Sequence, residues 1–247
     1  MNNYLLRIQY VGSHFYGFQK QNGIPTVQGA IEEALLRTLR VSVSTIGAAR
    51  TDKGVNAINQ YMNFYLQDEI DVEILRERLN SLLFFQKIFV KEGRPVDLSF
   101  HSRKSAKGKI YAYILSDNPQ ATMFISPYVY IYHGGIDFGL VEKAFGGLKG
   151  KHDFTFFSNR DRSRPDRNNF CEIFDAGFLN KDAITIFYFY ADRFLYHMVR
   201  RMVYYVLKSA QGKVPEKVLA NPFGASEIPY ARQVLPGEPL FLVDVVY

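Results

Sequence analysis

Twice along this chain the spacing of apolar residues switches from a period of two to one of 3.6 and back, in the order strand, helix, strand, strand, helix, strand. That order restricts the fold more than any other feature. In the first half Tyr4, Leu6, Ile8 and Tyr10 alternate with Leu5, Arg7 and Gln9, as in a half-buried strand. Residues 11–25 read as a Gly-containing loop with exposed-looking aromatics. Thr26 can cap the helix that follows, where Val27, Ala30, Ile31, Ala34 and Leu35 recur at helical spacing. Strands near 43–48 and 58–66, a helix over 72–83 and a strand around 88–91 complete this half.

The second half opens with a strand through "GKIYAYIL" and another through "TMFISPYVYIY", then a helix over 138–148. Strands near 170–178 and 183–190, a long helix over 194–211 and a last strand "LFLVDVVY" follow. Allowing for one extra strand, the order is again βαββαβ. The expected fold is therefore α+β, with two split-βαβ halves (ferredoxin- or RRM-like), mostly antiparallel sheet and a central active-site cleft. Residues 1–95 form the expected N-terminal half and 96–247 the C-terminal half, joined through the polar stretch 91–108. No sequence repeat is visible, so the duplication rests on element order.

The charge points to a polyanionic partner. There are 30 basic against 24 acidic side chains, a formal net charge of +6. "HSRKSAKGKIY" holds four cations and no acid, and "NRDRSRPDR" holds four Arg against two Asp. With 17 Tyr and 21 Phe, rings and cations are interleaved along the chain, which suits phosphate contact and base stacking. Cys171 is the only cysteine, which excludes an intramolecular disulfide and reads as buried filler in a strand start. No basic-then-apolar leader and no run of about 18 apolar residues is present, so a cytoplasmic protein without membrane attachment is expected.

Most catalytic motifs are excluded. His14, His101, His133, His152 and His197 are scattered, without the paired spacing of metal ligands. "FGGLKGKH" lacks the first Gly and the final Ser or Thr of a phosphate-binding loop, and neither GxGxxG nor GxSxG occurs where it would be needed. The expected chemistry needs no metal and no organic cofactor.

One stretch remains. In "GAARTDKGVNAINQ" a carboxylate, Asp52, lies between Arg50 and Lys53 on a tight turn between strands. Neighbouring positive charge favours the ionised form, and Gly54 lets the turn present Asp52 away from the sheet. From composition and spacing alone, an Asp-x-Gly turn between strands is usually just a turn.

"GAARTDKGVNA" resembles the Arg-Thr-Asp-x-Gly-Val-His-Ala signature of the tRNA pseudouridine synthase A family. Five further blocks are similar to that family in its own order: "IQYVGSHFYGFQKQNGIPTVQGAIEEAL", "FHSRKSAKGKIYAYIL", "GKHDFTFFS", "ADRFLYHMVRRMVYYVL" and "PLFLVDVVY". Together they cover most of the chain. The resemblance implies an isomerase that converts uridine to pseudouridine in tRNA, typically at positions 38 to 40 of the anticodon arm. It implies no cofactor, and a homodimer with RNA crossing both chains.

The resemblance also implies roles. Asp52 is the catalytic nucleophile, acting on the ribose C1′ or abstracting a ribose proton on a glycal route. Arg50 takes the place of the flipped base. Tyr111 packs on the uracil, Arg200 pairs with the catalytic Asp and holds it ionised, and Leu242 lines the uracil pocket. Tyr113, on the same strand face as Tyr111, is expected to pack in the core, and His197 to be structural. Leu195, Met198, Met202 and Val206 form the apolar face of the last long helix, with His197, Arg200, Arg201 and Tyr204 opposite.

Three positions depart from the family pattern: Asn56 stands for a His, Phe18 for a Trp, and Arg201 where an Asn is common. They bear on substrate choice more than on reaction type. The competing readings are a synthase acting at another RNA position, a non-catalytic RNA-binding or chaperone protein on the same scaffold, and a glycosidase. A glycosidase would need a second carboxylate, and none lies near Asp52 in sequence.

Overall fold

A computed structural model of the chain describes residues 1–159 and 168–247. The Arg-rich stretch 159–167 therefore falls, from residue 160 on, outside the described residues. The chain divides into two units, one of Met1–Lys107 together with Phe241–Tyr247 and one of Gly108–Leu240.

In the first unit the alternating N-terminal segment is β1, Asn2–Tyr10. Thr26 caps α1, Val27–Leu39, its hydroxyl accepting from the Gly29 N–H as expected. Then come β2 (Thr45–Gly47), β3 (Asn56–Leu66), α2 (Val72–Leu83) and β4 (Ile88–Val96). The Asp71 carboxylate caps α2 by accepting from Glu73 and Ile74. β1 lies between β3 and β4, antiparallel to both, and β2 pairs antiparallel with the far side of β3. The strand order is thus β4-β1-β3-β2, the split-βαβ arrangement. Leu6, Ile8, Ile31, Leu35, Met62, Phe64, Leu79 and Leu83 are fully buried, each contributing about 1.5–3 kcal/mol through removal from water.

In the second unit β5 (Gly108–Ser116) is followed by the short β6 (Tyr130–Ile131), α3 (Phe138–Leu148), β7 (Gly150–Asp153), β8 (Phe170–Lys181), β9 (Ile184–Ala191), α4 (Met198–Ala210) and α5 (Glu216–Ala220). The order β5-β9-β8-β7 is antiparallel throughout, and β6 adds parallel to the end of β5. The Phe145 ring of α3 meets Phe187 and Phe189 of β9, which seats the helix on the sheet.

Four local readings differ from the structure. "TMFISPYVYIY" is mostly a 3₁₀ stretch, Met123–Tyr128, and only Tyr130–Ile131 pair. Pro127 has no N–H for a ladder, and Phe124 is exposed, so the run is apolar without being strand core. β4 runs five residues further than expected, into the presumed linker, because it is an edge strand on which Pro95 costs no ladder bond. The last long helix begins at Met198, since His197 sits at φ 63, a left-handed conformation that interrupts helical geometry. The short β7 and α5 carry too few residues for a periodic signal.

The C-terminal strand β10, Leu240–Val246, pairs parallel with β3 at Phe241↔Asn56 and Leu242↔Ala57. The sequence groups this strand with the second half. From Phe241 on it clusters with the first unit. Asn59 donates to the Val243 carbonyl, the Lys107 N–H donates to Val246, and the Tyr247 hydroxyl donates to the Ser102 carbonyl. The Tyr247 ring packs against Tyr61 and Phe100. Among the described residues no helix is long and apolar enough to cross a membrane.

Candidate active site

The loop 48–55 joins β2 to β3 and carries Arg50, Thr51 and Asp52. Its near end is held by β3: the Ala48 N–H donates to the Tyr61 carbonyl, and the Gln60 side chain both accepts from the Ala49 N–H (3.1 Å) and donates to the Ala49 carbonyl (2.8 Å). Its middle is held by Thr51. That hydroxyl pairs with the buried Tyr10 hydroxyl at 2.8 Å, and its carbonyl accepts from the Phe18 N–H. Burial pushes the Tyr10 phenol up to about 12, so it remains a neutral partner at physiological pH. The turn closes where the Val55 N–H donates to the Asp52 carbonyl, with Gly54 at φ 82 taking the left-handed position.

The side chains leave this frame in different directions. Thr51 is buried, Asp52 half-buried, and Arg50 and Lys53 exposed. The Lys53 ammonium lies over the Tyr16 ring, 4.3 Å from its centroid, and the ring is exposed, so a cation and an exposed aromatic flank the turn. Leu242 is fully buried in β10, in register with Ala57 a few residues beyond the turn.

In the second unit Tyr111 is buried on β5, its ring edge-on to Phe194 at 5.1 Å. Tyr113, two residues along the same face, is fully buried and its hydroxyl donates to the Pro236 carbonyl. Burial pushes that phenol far above its ordinary range. Arg200, half-buried in the first turn of α4, donates through Nε to the Leu235 carbonyl, which fixes the plane of its guanidinium.

All three departures from the family pattern turn inward as structural groups. Asn56 is buried and its Oδ1 accepts from the Gly12 N–H at 2.9 Å. Phe18 is buried against Gly47 and supplies no exposed aromatic surface, contrary to the expectation for this loop; Tyr16 does. Arg201 is buried as well, although the helical pattern placed it opposite the apolar face. Its terminal nitrogens donate to the Phe156 and Ser158 carbonyls and to Asn159 Oδ1, so two main-chain oxygens and one side-chain oxygen replace water there.

With its oxygen engaged by Arg201, Asn159 presents its NH₂ to His197 Nδ1 at 2.7 Å, which makes Nδ1 the acceptor of a neutral imidazole. Burial, with Arg200 and Arg201 adding positive charge, lowers the His197 pKa to about 4. The unfolded chain binds this proton near pH 6.5 and the folded chain only near 4. The stability that His197 contributes is therefore present above pH 6.5 and lost as pH falls from 6.5 toward 4. The urea midpoint should fall across that window, and His197→Gln should flatten the fall; parallel pH profiles of the two proteins would refute the assignment.

Gln60, Tyr10 and Gly12 hold the loop and were not singled out from the sequence. A Gln at a strand position that burial should favour as apolar was the one available signal for Gln60. Among the described residues no cluster of three or more His, Cys, Asp or Glu is arranged to hold a metal ion.

A family model described as tRNA pseudouridine synthase matches residues 7–103 and 144–247. A tRNA pseudouridine synthase A of Chlorobium phaeovibrioides is 36% identical over 221 residues, covering 89% of each chain. Proteins of the same name from Acetivibrio thermocellus and Finegoldia magna are 32% and 35% identical, each over 100% of both chains. The matched segments include the Asp52 turn, α4 and β10, and this chain belongs to the tRNA pseudouridine synthase family.

Proposed function

We propose that this protein isomerises uridine to pseudouridine in tRNA, with Asp52 as the reacting carboxylate. The observation that carries the reading is the Asp52 turn: a carboxylate on a loop held by main-chain and buried side-chain hydrogen bonds, within the family's own motif. Rigid presentation is what attack at a single ribose carbon requires. In the reaction the N1–C1′ bond breaks, the uracil turns, and a C5–C1′ bond forms. The C5 proton leaves and N1 gains one, so no oxidant, reductant or external energy is consumed.

A uracil stacked in an RNA stem-loop must first be extruded. Arg50 is the proposed replacement for the departing base, Tyr111 the ring offered to the uracil, Arg200 the positive charge that keeps the reacting carboxylate ionised, and Leu242 an apolar wall. Lys53 and Tyr16 beside the turn suit contact with the RNA. The proposed targets are the uridines at positions 38 to 40 of the anticodon arm, and the proposed assembly is a homodimer acting in the cytoplasm.

The test is tritium release from tRNA transcripts labelled at uracil C5, in buffer with EDTA and no cofactor. Transcripts with a single uridine in the anticodon arm assign the position. No release from tRNA that binds tightly would favour a non-catalytic binder or another RNA position. Arg50→Ala should slow single-turnover release by roughly 10–100-fold, because extrusion loses the group that fills the vacated stack, while Asp52 chemistry is untouched. A substrate whose target base is already unpaired should recover most of that loss; if it recovers none, Arg50 acts elsewhere.

A further inference from the structure

We infer that Gln60 is the positioning residue of the Asp52 loop: its buried amide continues the β2–β3 ladder past the point where the main chains stop pairing. That sets the direction in which Arg50, Thr51 and Asp52 leave the sheet. The inference rests on the reading of Asp52 as the reacting carboxylate.

The β2–β3 register ends at Gly47↔Met62. Beyond it the Ala48 N–H still reaches the Tyr61 carbonyl, but the next rung is made by a side chain. Gln60 offers Ala49 a carbonyl and an N–H together, as a strand residue would, and its Oε1 also accepts from the Tyr61 N–H at 3.2 Å. Two N–H groups meet Oε1 and one carbonyl meets Nε2, so the opposite amide orientation would set donors against donors and acceptor against acceptor. Gln60 has no exposed surface. Water cannot replace either rung, and an unmade bond there costs the full desolvation of Ala49.

Gln60 also stands at a register change. Ile8 faces Gln60 and Tyr10 faces Ala57, so two steps along β1 span three along β3. A bulge of this kind bends its strand and re-aims the side chains around it. Here it turns Gln60 toward Ala49, three residues before Asp52. Tyr10, across the bulge on β1, holds Thr51, so the loop is tied to β3 at Ala49 and to β1 at Thr51.

The same two-headed clamp occurs once more in this unit, away from the loop. Asn80 on α2 accepts from the Val90 N–H at 2.7 Å and donates to the Val90 carbonyl at 2.9 Å. It provides an internal control, because loss of either clamp should weaken folding but only one should affect the reaction.

The experiment compares Gln60→Met, Asn80→Leu and Asp52→Asn in the full chain, reading tRNA Kd, single-turnover tritium release and the urea midpoint at a temperature where each is folded. Gln60→Met should keep its Kd within about twofold and lose about 10²-fold in rate, the cost of a misplacement near 1 Å. Asn80→Leu should lose midpoint and keep its rate. A Gln60→Met rate within about threefold of the parent, or an equal rate loss in Asn80→Leu, overturns the inference while leaving Asp52 in place. Full turnover by Asp52→Asn would overturn the reading beneath it as well. Should Gln60→Met fail to fold, Gln60→Asn, which withdraws the amide by one methylene, is expected to lose about 10-fold in rate at unchanged Kd; no loss overturns the inference.

Discussion

Asp52→Asn should bind tRNA about as well as the parent protein and release no tritium above background, a loss of roughly 10⁴-fold or more. That is the scale seen when a nucleophilic side chain is removed from an enzyme. The substitution changes one oxygen for an NH₂ and preserves shape. The turn itself is closed by main-chain groups, with Val55 donating to the Asp52 carbonyl and Phe18 to the Thr51 carbonyl, so the loop should hold. What disappears is the negative oxygen able to attack C1′ or to take a ribose proton. Gel-shift affinity and tritium release measured on the same preparation check both halves of the expectation. Retained turnover would remove Asp52 from the chemistry, whereas lost binding would mean that the carboxylate organises the RNA surface.

Gly12→Ala should be the most damaging change outside the reacting groups. A Cβ at residue 12 would lie 2.1 Å from the Val55 oxygen, 2.4 Å from the Val55 carbonyl carbon and 2.6 Å from that of Gly54. All three are backbone atoms of the turn that follows Asp52, so no rotamer change relieves the clash. The Gly12 N–H would be pushed away from Asn56 Oδ1 as well. Overpacking of this kind costs about 3 kcal/mol, and the molecules that still fold would carry a displaced turn. A lower urea midpoint together with a single-turnover rate reduced about 100-fold is the expected result. Gly146→Ala is the contrast: that glycine is helical, exposed and has nothing within 4 Å of its Cβ position, so about 0.5–1 kcal/mol of added stability is expected. If Gly12→Ala matched the parent in both measurements, the close approach of residues 12 and 55 would not govern the turn.

Much of this was legible from the chain alone because it is local. The alternation of Tyr4, Leu6, Ile8 and Tyr10, the Thr26 cap and the 3.6-residue spacing of α1 are decided by residues a few positions apart, and all appear where expected. The turn at Asp52 is local too, since a left-handed position after a short strand favours Gly54. Phe18 and Arg201 differ from the sequence expectation for the opposite reason. An aromatic ring in a Gly-containing loop and a cation on an amphipathic helix both look exposed. Their burial depends on Gly47 leaving room for the ring and on the carbonyls of Phe156 and Ser158 meeting the guanidinium, and neither partner is near in sequence.

Periodicity, capping and motif spacing act over short stretches of chain, so most elements in their order, the Asp52 turn and the family resemblance can be read from the residues alone, while the 3₁₀ stretch and the short β7 and α5 cannot. It took the folded molecule to bring β10 into the first unit, where Leu242 stands in register with Ala57, and to set the Gln60 amide against Ala49 at the start of the Asp52 loop. The first joins main chains from opposite halves of the sequence, and the second joins a side chain to a peptide unit across a loop whose course the sequence does not fix. Hydrogen-bonding capacity is the same for every peptide unit, so no residue announces its partner until folding has brought the two together and removed the water that would otherwise have served either one.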